Sequence, residues 1–308
     1  MTAHRTRLRA VLAPLLAIGL AVGLAGCGDD DDPQANDPND KPSHSTKPTR
    51  TPKPSDDPSA TQSGGGEPDR VAAPLYFVGD TPQGPRLFRE FQQVEADNPA
   101  DEALALISAG DADDPDYGTL LPGGQLRLAG YDEIASVTVP DEVQDRPGDM
   151  STKDAKLALQ QVVYTVQGVL QQRIPIGFVT ADGDSTTFLG LPTPSGGFKA
   201  APQNNVLALV NITQPQQGSE PGRTFVASGV ANSFEATVPW QVRDENGNQV
   251  LEGFATAEGW GDHLYPWESA VDASALPPGV YTFVAMTDDP SDGEGFGPTE
   301  DTKTFTIS

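Results

Sequence analysis

"SFEATVPWQVRDENGNQVLEGFATA", from Ser233 to Ala257, reads as two strands and the turn between them. In its first arm Phe234, Ala236, Val238, Trp240 and Val242 fall on one side, and Glu235, Thr237 and Gln241 on the other. That alternation is the two-residue period of a strand with one buried face. Asn246-Gly247 supplies an Asn-Gly hairpin turn. Working outward, the same kind of segment recurs from Asn205 to the last residue: "NVLALVNIT", "RTFVASGVA", "GVYTFVAMTDD" and "DTKTFTIS". With the two arms of the quoted stretch they make six candidate strands at turn-punctuated intervals, the pattern of a β-sandwich.

Two details refine this expectation. Trp240 stands where a sandwich of the immunoglobulin kind buries its central tryptophan. "LPPGVYTF" (Leu276 to Phe283) has the Gly-x-Tyr spacing of a tyrosine corner, with Phe283 at the place an antibody domain gives to cysteine. Residues 204–308 are therefore expected to form an all-β immunoglobulin-like sandwich held by apolar packing in place of an inter-sheet disulfide.

Upstream, residues 71–203 change period. "AAPLYFVGD" and "RLFREFQQV" read as paired strands. "NPADEALALISAG" is a helix marked at both ends. Asn98 can cap, Pro99 suits the first position, Asp101 and Glu102 favour the positive end of the dipole, and Gly110 can close in the left-handed region. Ala103, Leu106, Ile107 and Gly110 share a face. Strands at "QLRLAG" and "IASVTVP" precede a second helix, "STKDAKLALQQVVYTVQGVLQQR". There Ser151 and Asp154 have capping-box spacing, and Ala155, Leu159, Val162, Val166 and Val169 recur at helical intervals, with Gly168 a mild weakness. "IPIGFVTADGDSTTFLGL" adds two short strands about an Asp-Gly turn. The order predicts an α+β domain with two helices on a small sheet. The acidic "DADDPDYGT" (Asp111 to Thr119) reads as a surface loop outside that core.

In order and spacing, "PLYFV", "ALALISAG", "LLPGGQL", "VTVPDEV" and "LALQQVVYTVQ" resemble the GerM-type (GerMN) domain of sporulation and spore-germination proteins. "VASGVANSFEATVPWQVRDENGNQVLEGFATA" resembles the immunoglobulin-like domain of bacterial spore germination, a family found alongside GerM-type domains. The resemblance implies an envelope-side module and offers no catalytic residues to carry over.

The first seventy residues supply an address. Arg5, Arg7 and Arg9 precede an apolar run from Ala10 to Gly26, broken only by Pro14, as in a secretory signal. "LAGC" (Leu24 to Cys27) resembles the bacterial lipobox, which implies a signal peptide of residues 1–26 and acylation of Cys27, the only cysteine, by palmitate-type chains. Two chains matter, since one alone binds a bilayer only marginally. Residues 28–70 contain no aromatic and no Val, Ile, Leu or Met, so with the acylated Cys27 they read as a disordered linker rich in proline and aspartate, spanning 27–70. Fully extended, such a linker reaches roughly 130 Å. The expected location is the extracytoplasmic face of the cell membrane, with the bilayer as one partner through Cys27.

Charge and composition remove whole classes of function. The net charge is −25, and from Val71 onward there are 34 acidic and 11 basic residues, a poor surface for nucleic acid. Of three histidines, His4 lies in the signal, His44 in the linker and His263 in the sandwich, so neither a zinc ligand set nor a Ser-His-Asp arrangement assembles from the sequence. Phosphate-cradling glycine loops and Ser-x-x-Lys spacing are absent. The acidic run Asp288 to Asp301 resembles a calcium loop in composition but lacks the middle ligand and misplaces the closing glutamate. No catalytic, cofactor or metal residue is assigned, and the chain is expected not to be an enzyme. One stretch could recognise a partner: "EGWGDHLYPWESAV" (258–271), with Trp260, His263 and Tyr265 as contacts. The preferred reading of Tyr265 and Trp267 is that they start the next strand and fill the sandwich end. The preferred expectation is a scaffold or interaction module for extracytoplasmic envelope proteins. The alternative is a binder of cell-wall glycan or a small ligand through that aromatic loop.

Overall fold

The computed structural model describes residues 69–289, 295 and 297–308. The expected signal, the acylated Cys27 and nearly all of the linker lie outside the described residues, as does the middle of the acidic 288–301 run. No helix among the described residues is long and apolar enough to cross a membrane.

The α+β half opens with a two-stranded antiparallel ribbon, β1 (Arg70–Gly79) and β2 (Arg86–Glu95), paired from Arg70–Glu95 to Gly79–Arg86. Two helices cover it: α1 (Pro99–Ala109) and, later in the chain, α3 (Thr152–Leu170). Between them β3 (Arg127–Tyr131) and β4 (Ala135–Thr138) form an antiparallel pair, and a single turn, α2 (Asp141–Gln144), leads into α3. β5 (Ile176–Val179) then pairs parallel to β4, a geometry that requires a long crossover, which α2 and α3 supply. The strands of this half are thus divided between a ribbon and a three-stranded sheet, order β3-β4-β5. The Asp-Gly turn forms, with Gly183 at φ 90°, but its second arm leaves the β5 ladder to make the short pair β6 (Thr187–Phe188) and β7 (Leu191–Pro192).

The helix ends behave as their residues dictate. Ser151 Oγ accepts from the Asp154 amide at 3.1 Å, and Gly110 closes α1 at φ 73° with its N–H on the Leu106 carbonyl. Asn98 departs from the expected cap: its side chain meets Asp101 Oδ2 at 3.3 Å, while Glu102 reaches back to the Glu95 amide. α1 buries Leu104 more completely than Leu106, because the helix is gripped by both the ribbon and α3. Gly168 has a packing role: a Cβ there would press on the Pro74 ring at 2.8 Å, so its absence lets β1 close on the helix. The core runs through Leu75, Phe77, Ile107, Val162, Val166 and Phe178, with Phe178 stacked on Phe188 at 4.2 Å.

After one turn, α4 (Gln203–Val206), the chain enters the sandwich. Its strands are β8 (Val210–Gln214), β9 (Thr224–Ala231), β10 (Thr237–Arg243), β11 (Gln249–Thr256), β12 (Tyr265–Asp272), β13 (Gly279–Met286) and β14 (Glu300–Ile307). One sheet has the order β12-β9-β8 and the other β11-β10-β13-β14, the two layers of an immunoglobulin-type fold. Trp240 is buried on β10, stacks on Phe283 at 5.6 Å, and donates from Nε1 to Ser269 Oγ at 2.9 Å in the facing sheet. Tyr281 Oη donates to the Pro277 carbonyl at 2.8 Å, so the tyrosine corner is made, and Phe283 is fully buried.

Two strand assignments change. The quoted stretch does not begin as a strand. Glu235 (φ 50°) and Ala236 (φ 60°) turn the backbone over, Thr237 opens β10, and Phe234 is left 40% exposed instead of pointing inward. A seventh strand, β12, joins the six segments first read as strands and starts where Tyr265 and Trp267 were expected to enter one.

Candidate functional site

The aromatic stretch separates into a strand and a short held loop. Trp267 points into the core from β12, 3% exposed, and crosses the small residue opposite it, Gly229, where a Cβ would collide with its ring. Trp260, by contrast, is 52% exposed and sits edge-on to Phe234 at 5.3 Å. The loop is fixed at Gly261. The Asn232 side chain accepts from the Gly261 amide at 2.8 Å and donates to its carbonyl, and Asn204 in α4 donates to the same carbonyl at 2.8 Å. Leu264 is anchored by its amide on Gln203 Oε1, 2.8 Å away, and is buried.

His263 and Tyr265 form a second, separate pair. Their rings stack at 3.9 Å, and Asp262 accepts from Tyr265 Oη at 2.7 Å while facing His263 Nδ1 at 2.8 Å. The Tyr265 hydrogen bond holds the Asp262 carboxyl below its ordinary value and, reciprocally, raises the phenol. Asp262 and His263 border a hollow of about 430 Å³ whose other side is Tyr164, Gln167, Arg173 and Lys199. The three residues expected to act together therefore fall into two places, Trp260 with Phe234 and His263 with Tyr265. Phe234 was missed because its alternating neighbours placed it inside.

The second feature was not expected at all. "DADDPDYGT" is a surface loop that turns one acid inward: Asp111, Asp113, Pro115 and Asp116 are exposed, but Asp114 is 1% exposed and meets Lys303 Nζ at 2.5 Å. Lys303, 3% exposed on β14, also donates to Tyr117 Oη at 2.6 Å and faces Asp301 Oδ1 at 3.2 Å. Asp301 in turn accepts from Tyr117 Oη at 2.5 Å and from the Ile212 amide at 2.5 Å. Glu90 on β2 completes the loop's support by accepting from the amides of Asp113 and Asp114. The two halves also share an apolar cluster of Leu87, Leu157, Tyr164, Leu207 and Leu264. Hydrogen bonds cross as well: the Ala208 amide donates to the Leu87 carbonyl at 2.9 Å, and the Arg89 amide to the side-chain Oδ1 of Asn211 at 2.7 Å.

Burial alone would disfavour the Lys303 charge, but the carboxylates of Asp301 and Asp114 outweigh it and hold the ammonium protonated above its ordinary range. Burial drives the Asp301 carboxyl upward, against the pull of Lys303 and its hydrogen bonds. Tyr117 is pushed well above the usual phenol value by burial and by both aspartates. With Asp114, Asp301 and Lys303 all buried and paired with one another, the group ties the two halves together as a joint. A sequence signal existed. On β14 Asp301 and Lys303 are in phase with Phe305 and Ile307, the buried face, and charges in that phase need partners.

A likeness in the solved structures is recorded to the tandem GerMN domains of the sporulation protein GerM from Bacillus subtilis. It has 14% identity and a TM-score of 0.33, covering 68% of this chain and 63% of that one, just under two thirds of its length. An engineered protein follows at 13% identity and a TM-score of 0.24, covering 49% of this chain and 36% of that one. At such scores neither carries the argument further. No curated protein matches the chain. The sandwich is matched directly: residues 209–294 fit the family described as the immunoglobulin-like domain of bacterial spore germination.

Proposed function

We propose that this chain is a non-catalytic interaction module of the cell envelope, of the sporulation or germination type, tethered to the membrane's outer side by an acylated Cys27. The observation that carries the reading is the exposed Phe234–Trp260 pair. Large aromatics presented on a hydrogen-bonded, pre-set loop are the usual anchors of protein contacts, since little conformational freedom is lost when they are covered. The welded joint behind them supports a scaffold, because a partner held at the sandwich then has a fixed place relative to the α+β half. The germination-type domain match at 209–294 supports the setting, and the lipobox-like "LAGC" supports the anchor.

The test is a photo-reactive residue at position 260 in the full chain in its own membranes, with position 280, another exposed apolar site, as the control. A discrete protein adduct at 260, lost on Phe234→Ala and missing at 280, is expected. Equal adducts at both positions, or none at 260, would overturn the partner surface. Adducts carrying wall glycan in place of protein would favour the glycan-binding alternative.

A further inference from the structure

A second cavity, away from the aromatic pair, has chemistry of its own. Its volume is about 500 Å³, inside the range of small-molecule sites. Leu157, Leu159, Leu191, Phe198 and Val206 form an apolar floor, and Arg86, Lys153 and Lys156 stand at its margin. Three of the 11 basic residues after Arg70 thus meet at one cavity, on a body that carries 34 acidic residues over the same span. No carboxylate lines the cavity, and among the described residues none of the three cations is in an ion pair with one. On so acidic a surface, a cavity with cations and no acid is a local reversal of sign.

The wall is already built. Gln160 donates to the Lys199 carbonyl at 3.2 Å and accepts from the Ala201 amide at 2.8 Å, so both ends of its amide are engaged. Tyr164 Oη donates to the Ala201 carbonyl at 2.6 Å, and Arg86 donates to the Asn205 carbonyl. With Gln160 spent on the wall, the cavity offers charge at the margin, the Asn205 side chain, and apolar surface below. A sugar or an extended peptide brings many polar groups that such a floor would leave unpaired, at about 1–3 kcal/mol each. An apolar chain with one anionic end leaves none.

We infer that this cavity binds an amphiphilic anion, a single acyl chain bearing a carboxylate or a phosphate, with the chain over Leu157, Leu159 and Phe198 and the head between Arg86, Lys153 and Lys156. The site is independent of the aromatic pair and would stand if the partner surface at Trp260 fell.

The experiment labels the full chain in its own membranes with a photo-reactive derivative of lauric acid and maps the adducts by mass spectrometry. Adducts are expected on the peptides carrying 153–160 and 198–206. Excess laurate or dodecyl phosphate should displace them, and which of the two is stronger identifies the head group. Inorganic phosphate and dodecyltrimethylammonium should not. Lys153→Glu with Lys156→Glu, both at exposed positions, should cut labelling about tenfold or more, since two charge-assisted contacts become repulsive. Arg127→Glu, on an exposed position of β3, is the matched control and should leave labelling unchanged. Adducts scattered over the body, labelling indifferent to charge reversal at 153 and 156, or equal displacement by the cationic amphiphile would each overturn the site. Displacement by an acidic peptide and by neither amphiphile would assign the cavity to protein instead.

Discussion

Lys303 shows how a single side chain can decide a tertiary arrangement. Buried beside two carboxylates and a phenol, it is the only cation available to them among the described partners. Such a group is a poor source of net stability compared with a well-packed apolar one, but removing one member leaves the others charged and dry. Lys303→Met is therefore expected to destabilise the folded body by about 3–5 kcal/mol, read as a lower urea midpoint. The loss should shrink as the pH falls toward the ordinary carboxylate range. Burial already raises the Asp301 carboxyl, and without the ammonium that pulls it down it binds a proton still more readily folded than unfolded, so acid favours the folded variant. A variant as stable as the parent at neutral pH would show that the network is solvated. The residue was hard to read from sequence for a plain reason. Strand period told that positions 301 and 303 face inward, but the other two partners, Asp114 and Tyr117, lie 189 and 186 positions before Lys303, in a loop with no period.

At the level of the element, local physics was the best guide. Capping residues, the Asn-Gly turn and two-residue alternation anticipated the helices and most sandwich strands, because each depends on neighbours within a few positions. The failures came where the backbone departs from the regular path. Positive φ at Glu235 and Ala236 removed Phe234 from the buried face, whereas β12 starts at Tyr265, the strand entry that the preferred reading of that stretch gave it. β10 and β11 illustrate a pairing that only the folded register exposes. Trp240 lies opposite Gly253, and its indole occupies the space a side chain there would need. Gly253→Ala should force the indole from its place and cost about 1–3 kcal/mol, the usual range for overpacking. Near-ultraviolet circular dichroism would follow the tryptophan and thermal unfolding the stability. An unchanged spectrum and midpoint would mean that the sheet yields instead.

For the whole molecule, the phenols and the ammonium near the joint set an alkaline limit. Tyr117, Tyr164 and Tyr76 are raised by burial first of all, Tyr164 to about 12, and Lys303 is raised because its carboxylate neighbours outweigh burial. All four hold their protons more tightly folded than unfolded. Below about pH 10 they are protonated in both states, and the stabilisation is complete. Above it the unfolded chain releases protons that the folded one retains, so stability falls as pH rises. The urea midpoint should be level to about pH 9.5 and then decline, less steeply in Tyr164→Phe. A level midpoint through that range would contradict the closed joint. Both halves should be lost in one transition, since they share the cluster of Leu87, Leu157, Leu207 and Leu264.

Amine chemistry gives the joint a practical use. From residue 204 to the last residue, Lys303 is the only lysine, and it is 3% exposed. An acylating reagent that modifies Lys153, Lys156 and Lys199 should pass over the sandwich while the halves stay together. Any event that parts them uncovers one new primary amine, so the tag on Lys303 would time the separation of the halves in a living cell.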